Sequence, residues 1–131
     1  MSAATSGHLL AIAAGGAAGA LLRYGLTNLV DGFLGRNFPW GILLVNVFGS
    51  LAIGLLYVWM VERAPVSDVL RLGLITGLLG ALTTFSTFSL DTLGLLHDGR
   101  YAAACANIVL NVFACMFACG CAMWVARSVT N

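Results

Sequence analysis

The sequence predicts an all-α membrane protein with four transmembrane helices, and three observations carry that expectation. Of its 131 residues, 60% are hydrophobic and only 8% are charged, whereas a soluble domain of this size needs a far more charged surface. The mean hydropathy is +0.98. Residues 40–61, 72–90 and 101–126 hold no charge, and a further apolar run lies on both sides of Arg23. Roughly 20 apolar residues suffice to cross the hydrocarbon as a helix. The expected spans are approximately 8–30, 40–61, 70–96 and 101–127, forming a single transmembrane domain over 1–131.

The piece before span one, MSAATSG, is polar and has no Lys or Arg, so a cleaved signal peptide is not expected. Span one contains Gly15-Gly16-Ala17-Ala18-Gly19-Ala20. Small residues at this spacing let helix backbones approach closely. Arg23 is a cation at the edge of the apolar region, with two accounts open: snorkelling to the interface, or forming an electropositive vestibule for anions. The linkers, 31–39, 62–71 and 97–100, contain Gly32, Gly35, Pro39, Pro65 and Gly99 as breakers. Trp40, Tyr57, Trp59, Tyr101 and Trp124 lie near span ends, where amphipathic rings favour the interface.

Span two carries a single amide, Asn46, with a milder small-residue pair in Ser50 and Gly54. A carboxamide in hydrocarbon needs partners, either on a neighbouring helix or along a polar pathway. Span three repeats the close-packing spacing at Gly73 and Gly77. In span four, Asn107 and Asn111 are four residues apart and share a face, which Cys115 and Cys119 continue. That stripe reads either as a polar track or as inter-helix hydrogen bonds. All four cysteines (105, 115, 119, 121) lie on this one helix, too constrained for ordinary disulfides with each other, and they read as small packing residues. No zinc site with His/Cys spacing is present.

Every basic residue is Arg. Four spans put both termini on one side, with Arg63, Arg71 and Arg127; the other side has Arg36 and Arg100, plus Arg23 if it belongs there. A chain of fixed orientation normally shows a cytoplasmic excess. Either orientation is set weakly by other means or the chain inserts both ways. The second is favoured, because four short helices make a poor transport path alone and two antiparallel copies would complete one. Walker A, His-Glu-x-x-His and Gly-x-Ser-x-Gly motifs are absent, so an enzyme is not expected; no nucleic-acid partner is expected either.

The most unusual stretch is GALTTFSTFSLD, Gly80 to Asp91, inside span three. A helix can break near Gly80–Thr84, because irregular backbone is tolerated at membrane depth when protein encloses it; exposed carbonyls there can hold a cation. Beyond the break, Phe85 and Phe88 project to nearly the same side. Ser86 and Ser89 share another face, and Thr84, Thr87 and Asp91 a third. Phe ring edges carry the positive part of the quadrupole. Aligned edges with hydroxyl and amide donors suit a small, bare anion. Against this, each hydroxyl can bond back to its own helix while the rings pack.

These residues resemble the bacterial fluoride channel family, Fluc or CrcB, along nearly the whole chain. The matching motifs are Gly15-Gly16-x-x-Gly19-Ala20-x-x-Arg23-Tyr24, Gly41-x-x-x-Val45-Asn46-x-x-Gly49-Ser50-x-x-x-Gly54, and Gly77-x-x-Gly80-x-x-Thr83-Thr84-Phe85-Ser86-Thr87-Phe88-Ser89. The resemblance implies a passive fluoride-selective channel of the bacterial inner membrane. It would be an antiparallel dual-topology homodimer with two pores, embedded in lipid and protecting against fluoride toxicity. By similarity, Phe85 and Phe88 present ring edges to fluoride and Asn46 donates a hydrogen bond. The pathway continues through Ser86, Thr87, Asp91, Asn107, Asn111 and Cys115, and Arg23 sits by the entrance. Backbone carbonyls of Gly80 and Thr83 from both subunits hold a structural Na+. This chain has Ala81 where many relatives have Gly, and Asp91 where they have Glu. The alternatives are a proton-coupled small multidrug-type exporter, which wants a carboxylate near the midplane, and a structural subunit without transport of its own.

Overall fold

The computed structural model describes residues 3–63 and 66–129. Met1 and Ser2 of the polar N-terminal piece, and Pro65 of the second linker, lie outside the described residues. Four helices are long and apolar enough to cross a membrane: Thr5–Leu34, Trp40–Arg63, Asp68–His97 and Tyr101–Val129. We label the helical segments α1 (Ala3–Leu34), α2 (Trp40–Arg63), α3 (68–82), α4 (Phe85–His97) and α5 (Tyr101–Val129). Three stretches widen into π-helix: Val58–Arg63 in α2, Leu72–Leu79 in α3 and Leu110–Ala114 in α5.

The helix ends are chemically explicit. Gly35 takes φ +81° and returns its N–H to the Asp31 carbonyl at 3.0 Å, closing α1. α1 therefore extends through Asp31 to Leu34, and only residues 35–39 bridge to α2. Pro39 precedes α2 and has no side-chain acceptor to offer its first turn. Asp31 supplies one from α1, its Oδ1 accepting from the Gly41 N–H at 2.9 Å. Gly99, at φ +71°, ends α4: its N–H reaches the Leu96 carbonyl at 3.0 Å and the Arg100 N–H reaches Leu95 at 2.8 Å, so the chain turns directly into α5.

α2 is the central crossing, with 44% of its most apolar window buried against 6% for α1. Glycines set close backbone approaches at two helix pairs. On α1, a Cβ at Gly15 would strike the Gly73 carbonyl and one at Gly19 the Leu78 carbonyl, while one at Gly77 would lie 2.7 Å from the Ile12 carbonyl. Between α2 and α5, a Cβ at Gly54 would meet the Cys119 carbonyl at 2.6 Å and the Ala122 Cβ at 2.9 Å. The small side chains of α5 thus serve that contact, and all four cysteines are free thiols. At one end of the bundle Glu62 accepts from Arg127 at 2.6 and 3.0 Å, and Arg63 donates to the Arg127 carbonyl at 3.1 Å. Arg36 and Arg100 both line a hollow elsewhere, beside the α1–α2 and α4–α5 connections.

Candidate functional site

Between α3 and α4 the backbone leaves the helical region for two residues, Thr83 at φ −80°, ψ 151° and Thr84 at φ −149°, ψ 122°. Two side chains hold this geometry. Thr84 caps α4, its Oγ1 accepting from the Thr87 N–H at 3.2 Å. Asn46, on α2, takes the Thr84 N–H on its Oδ1 at 2.8 Å and donates from Nδ2 to the Thr84 carbonyl at 3.2 Å. In a continuous helix those two N–H groups would serve the carbonyls of Gly80 and Thr83. Here they are used elsewhere. Gly80 is also exposed, and a Cβ on it would meet only the Ile75 carbonyl, at 3.7 Å. Gly80 and Thr83 thus present backbone oxygens of the type that a hard cation such as Na+ takes as ligands.

From Asn46 a buried run of amides crosses to α5 and returns. Asn46 Nδ2 donates to Asn111 Oδ1 at 2.9 Å. Asn111 Nδ2 donates to the Asn107 side-chain and backbone oxygens at 2.9 and 3.1 Å. Asn107, 1% exposed, donates to Thr92 Oγ1 at 2.9 Å, and Thr92 donates to the Phe88 carbonyl at 2.7 Å. Burial of so many polar groups in an apolar bundle is tolerable only because each finds a partner.

A hollow of about 320 Å³ opens beside this run, lined among others by Asn46, Thr84, Phe85, Phe88, Asn111 and Cys115. The Phe85 and Phe88 rings lie 5.1 Å apart at 56°. Phe88 is buried at 6% exposure, whereas Phe85 is 76% exposed. The Thr84 hydroxyl is 3.1 Å from both the Ser86 and the Thr87 hydroxyls. Thr87 also lines a second hollow, about 600 Å³, together with Asp91, Asp31, Asp98, Arg36 and Arg100. The hydroxyl pair Thr84–Thr87 therefore links the two hollows. The Thr27 hydroxyl in the second hollow has no hydrogen-bond partner among the described residues.

Of the residues singled out in the sequence, Asn46, Phe85, Phe88, Asn111 and Cys115 come together around the first hollow, and Thr87 and Asp91 line the second. Ser86 is exposed and reaches the same cluster through Thr84. Asn107 lines neither hollow and acts as the inner member of the amide run. Arg23 is half-buried on α1 and lines neither. Sequence reasoning misses Thr92, Arg36 and Arg100 as members of these clusters. Thr92 had a signal: a hydroxyl four residues after Phe88 on an apolar helix. The two arginines were legible only as loop charges.

Four apolar crossings around a buried amide run, with a hollow beside the non-helical residues Thr83 and Thr84, define a multi-pass membrane protein. Residues 10–123 match the family model described as CrcB-like protein, Camphor Resistance (CrcB), and the chain belongs to that family. It is 47% identical over 117 residues to the protein named fluoride-specific ion channel FluC of Methylococcus capsulatus, covering 89% of this chain and 50% of that one. It is 44% identical to the protein of that name from Magnetococcus marinus over 90% of this chain and 96% of the relative. The Alteromonas mediterranea protein, named the same way, is 54% identical over 82% of this chain and 84% of its own length. This chain thus spans half of the Methylococcus protein and nearly all of the Magnetococcus one.

Proposed function

We propose that this chain is a passive, fluoride-selective ion channel of the bacterial cytoplasmic membrane, exporting fluoride and protecting the cell from it. It is a channel, not an enzyme. The observation that carries the reading is the first hollow, with two phenylalanines side by side and an amide at a helix interruption, and with the Thr84 hydroxyl on its wall within reach of those of Ser86 and Thr87. Fluoride leaving water must exchange its hydration for other donors. Ring edges of Phe85 and Phe88 supply positive potential without a competing charge, and the Thr84, Ser86 and Thr87 hydroxyls rotate to donate. Both N–H groups of Asn46 are already engaged, so its donation to the ion requires exchanging one of them, for which the 3.2 Å bond to Thr84 is the weaker candidate. The relatives named above as fluoride-specific channels support this reading over the multidrug-type exporter.

The functional unit we propose is an antiparallel homodimer in lipid, with two pores along the subunit interface. The near-even split of Arg63, Arg71 and Arg127 against Arg36, Arg100 and Arg23 supports dual insertion. Phe85, with three-quarters of its surface open, gains a wall from a second copy. In that arrangement the carbonyls of Gly80 and Thr83 from both copies hold a structural Na+, whose charge ties the two interruptions together. The second hollow, with Thr87, Asp91, Arg36 and Arg100, is the mouth, and Arg23, four residues before Thr27 of that hollow on α1, adds positive potential.

Purified protein in liposomes, under a potassium–valinomycin potential with a fluoride electrode, tests the function. Rapid fluoride efflux with chloride retained is the expected outcome. No efflux, or equal chloride efflux, rejects the reading. For topology, single cysteines placed in each connection of a Cys-free background should label from both sides; strictly one-sided labelling rejects dual insertion.

A further inference from the structure

The amide run begins at the N-cap of α4 and ends four residues on, within that helix. It starts at the Thr84 N–H, which can only donate, and ends at the Phe88 carbonyl, which can only accept. These two fixed ends determine the orientation of every group between them. Asn46 must turn its oxygen to Thr84 and therefore its NH2 to Asn111; Asn111 must then turn its NH2 to Asn107, Asn107 its own to Thr92, and Thr92 its proton to Phe88. Reversing Asn46 or Asn111 sets donor against donor on one side and acceptor against acceptor on the other, and reversing Asn107 sets its NH2 against that of Asn111.

We infer that Asn111 is a positioning residue for the ion pathway, holding the Asn46 carboxamide with its NH2 group toward the first hollow. The inference rests on the channel reading above. When an ion draws on the Thr84-facing N–H, two contacts still resist rotation of the Asn46 amide: the 2.8 Å bond its oxygen accepts from the Thr84 N–H, and the 2.9 Å bond from its NH2 to Asn111, the one that acts on the donor group itself. Asn111 in turn is anchored by both oxygens of Asn107. The thread from Asn111 through Asn107 and Thr92 ends on the Phe88 carbonyl, so it also ties α5 to the helix that carries the buried ring of the hollow.

Asn111→Asp separates positioning from bulk packing, because it keeps the shape and changes only the donor. Ionised, it accepts from Asn46 but has no proton for Asn107 and faces two of its oxygens. Protonated, it accepts from Asn46 as before and gives its single proton to one of the two Asn107 oxygens. In proteoliposomes, wild-type fluoride flux should be equal at about pH 7.5 and about pH 5.5 once flux through protein-free liposomes is subtracted. For the variant, flux at least about tenfold lower at the higher pH, recovering to within about threefold at the lower, is expected. Cys115 is the one titratable side chain among those lining the hollow, and Asp91 lies in the other hollow. Added to Asn111→Asp, Cys115→Ser or Asp91→Asn should therefore leave the ratio of flux between the two pH values in place, whatever each does to the absolute flux. Should Asn111→Asp fail to fold, Asn107→Asp carries the test: it still accepts from Asn111 and loses only its donor to Thr92, so a smaller loss with the same recovery is expected. A flat profile in the folded variant, at wild-type level or uniformly low, overturns the inference. Absence of flux in the wild type overturns the channel reading instead.

Discussion

Gly77→Ala is a quantitative test of how tightly α1 lies on α3. The added Cβ would sit 2.7 Å from the Ile12 carbonyl, 3.1 Å from Gly15 Cα and 3.1 Å from Gly16 N. All three are backbone atoms, so no rotamer change relieves the contact. Ordinary contact begins at 3.4 Å, leaving a shortfall of 3.4 − 2.7 = 0.7 Å. If α1 retreats by that amount, each displaced atom pair loses about a quarter to a half of a well of ~0.1–0.2 kcal/mol. Summed over a helix face this is about 1–3 kcal/mol, the usual range for overpacking. Alanine's helix preference offsets up to about 1 kcal/mol of it. Gly25→Ala, on the exposed side of α1 with nothing within 4 Å of the added carbon, gains the preference without the clash. Heat-induced loss of the monodisperse peak in detergent should therefore come several degrees earlier for Gly77→Ala than for Gly25→Ala. Equal midpoints would refute the close approach.

Two further outcomes follow from the site and its frame. Replacing Phe85 or Phe88 with Ile should lower fluoride flux in liposomes while the protein elutes as wild type; Phe88→Ile should also lower thermal stability, by about 1–2 kcal/mol, since only Phe88 is buried, and unchanged flux in both variants refutes the ring-edge role. Asp31→Ala removes the acceptor for the Gly41 N–H and should destabilise by about 1 kcal/mol in the same melting assay, with Asp31→Asn restoring most of it; identical behaviour of the two variants refutes the cap.

The crossings were legible in the sequence because hydropathy and charge act over whole segments, and four apolar helices result. The close approaches were legible too, since glycine at four-residue spacing is a strong local signal and Gly15, Gly19, Gly73 and Gly77 meet across α1 and α3. Asn46, Asn107 and Asn111 stood out as amides in hydrocarbon, but their joining into one run did not. Its bonds cross 38 and 65 residues of chain, and nothing local chooses between a partner helix and a pathway. The packing settles part of that question: the three amides satisfy one another, and Asn46 and Asn111 border the hollow as well. Arg36 and Arg100 were hidden for a similar reason, as loop positions fix no neighbours until the connections fold together.

The π-helical stretch in α5 has a geometric consequence for how its polar stripe should be drawn. On an α-helix, four residues turn the chain by about 400°, so each step of four drifts about 40° from its predecessor. With its longer repeat of about 4.4 residues, a π-helix turns about 330° in four residues and drifts about 30° the other way. Asn107 to Asn111 is largely the first kind of step, and Asn111 to Cys115 crosses Leu110–Ala114, the second. The two drifts nearly cancel, to about 10° over eight residues, where a uniform α-helix would accumulate about 80°. A helical-wheel projection at constant pitch therefore misplaces Cys115 by most of a quadrant, and any alignment that treats α5 as regular inherits that angular error.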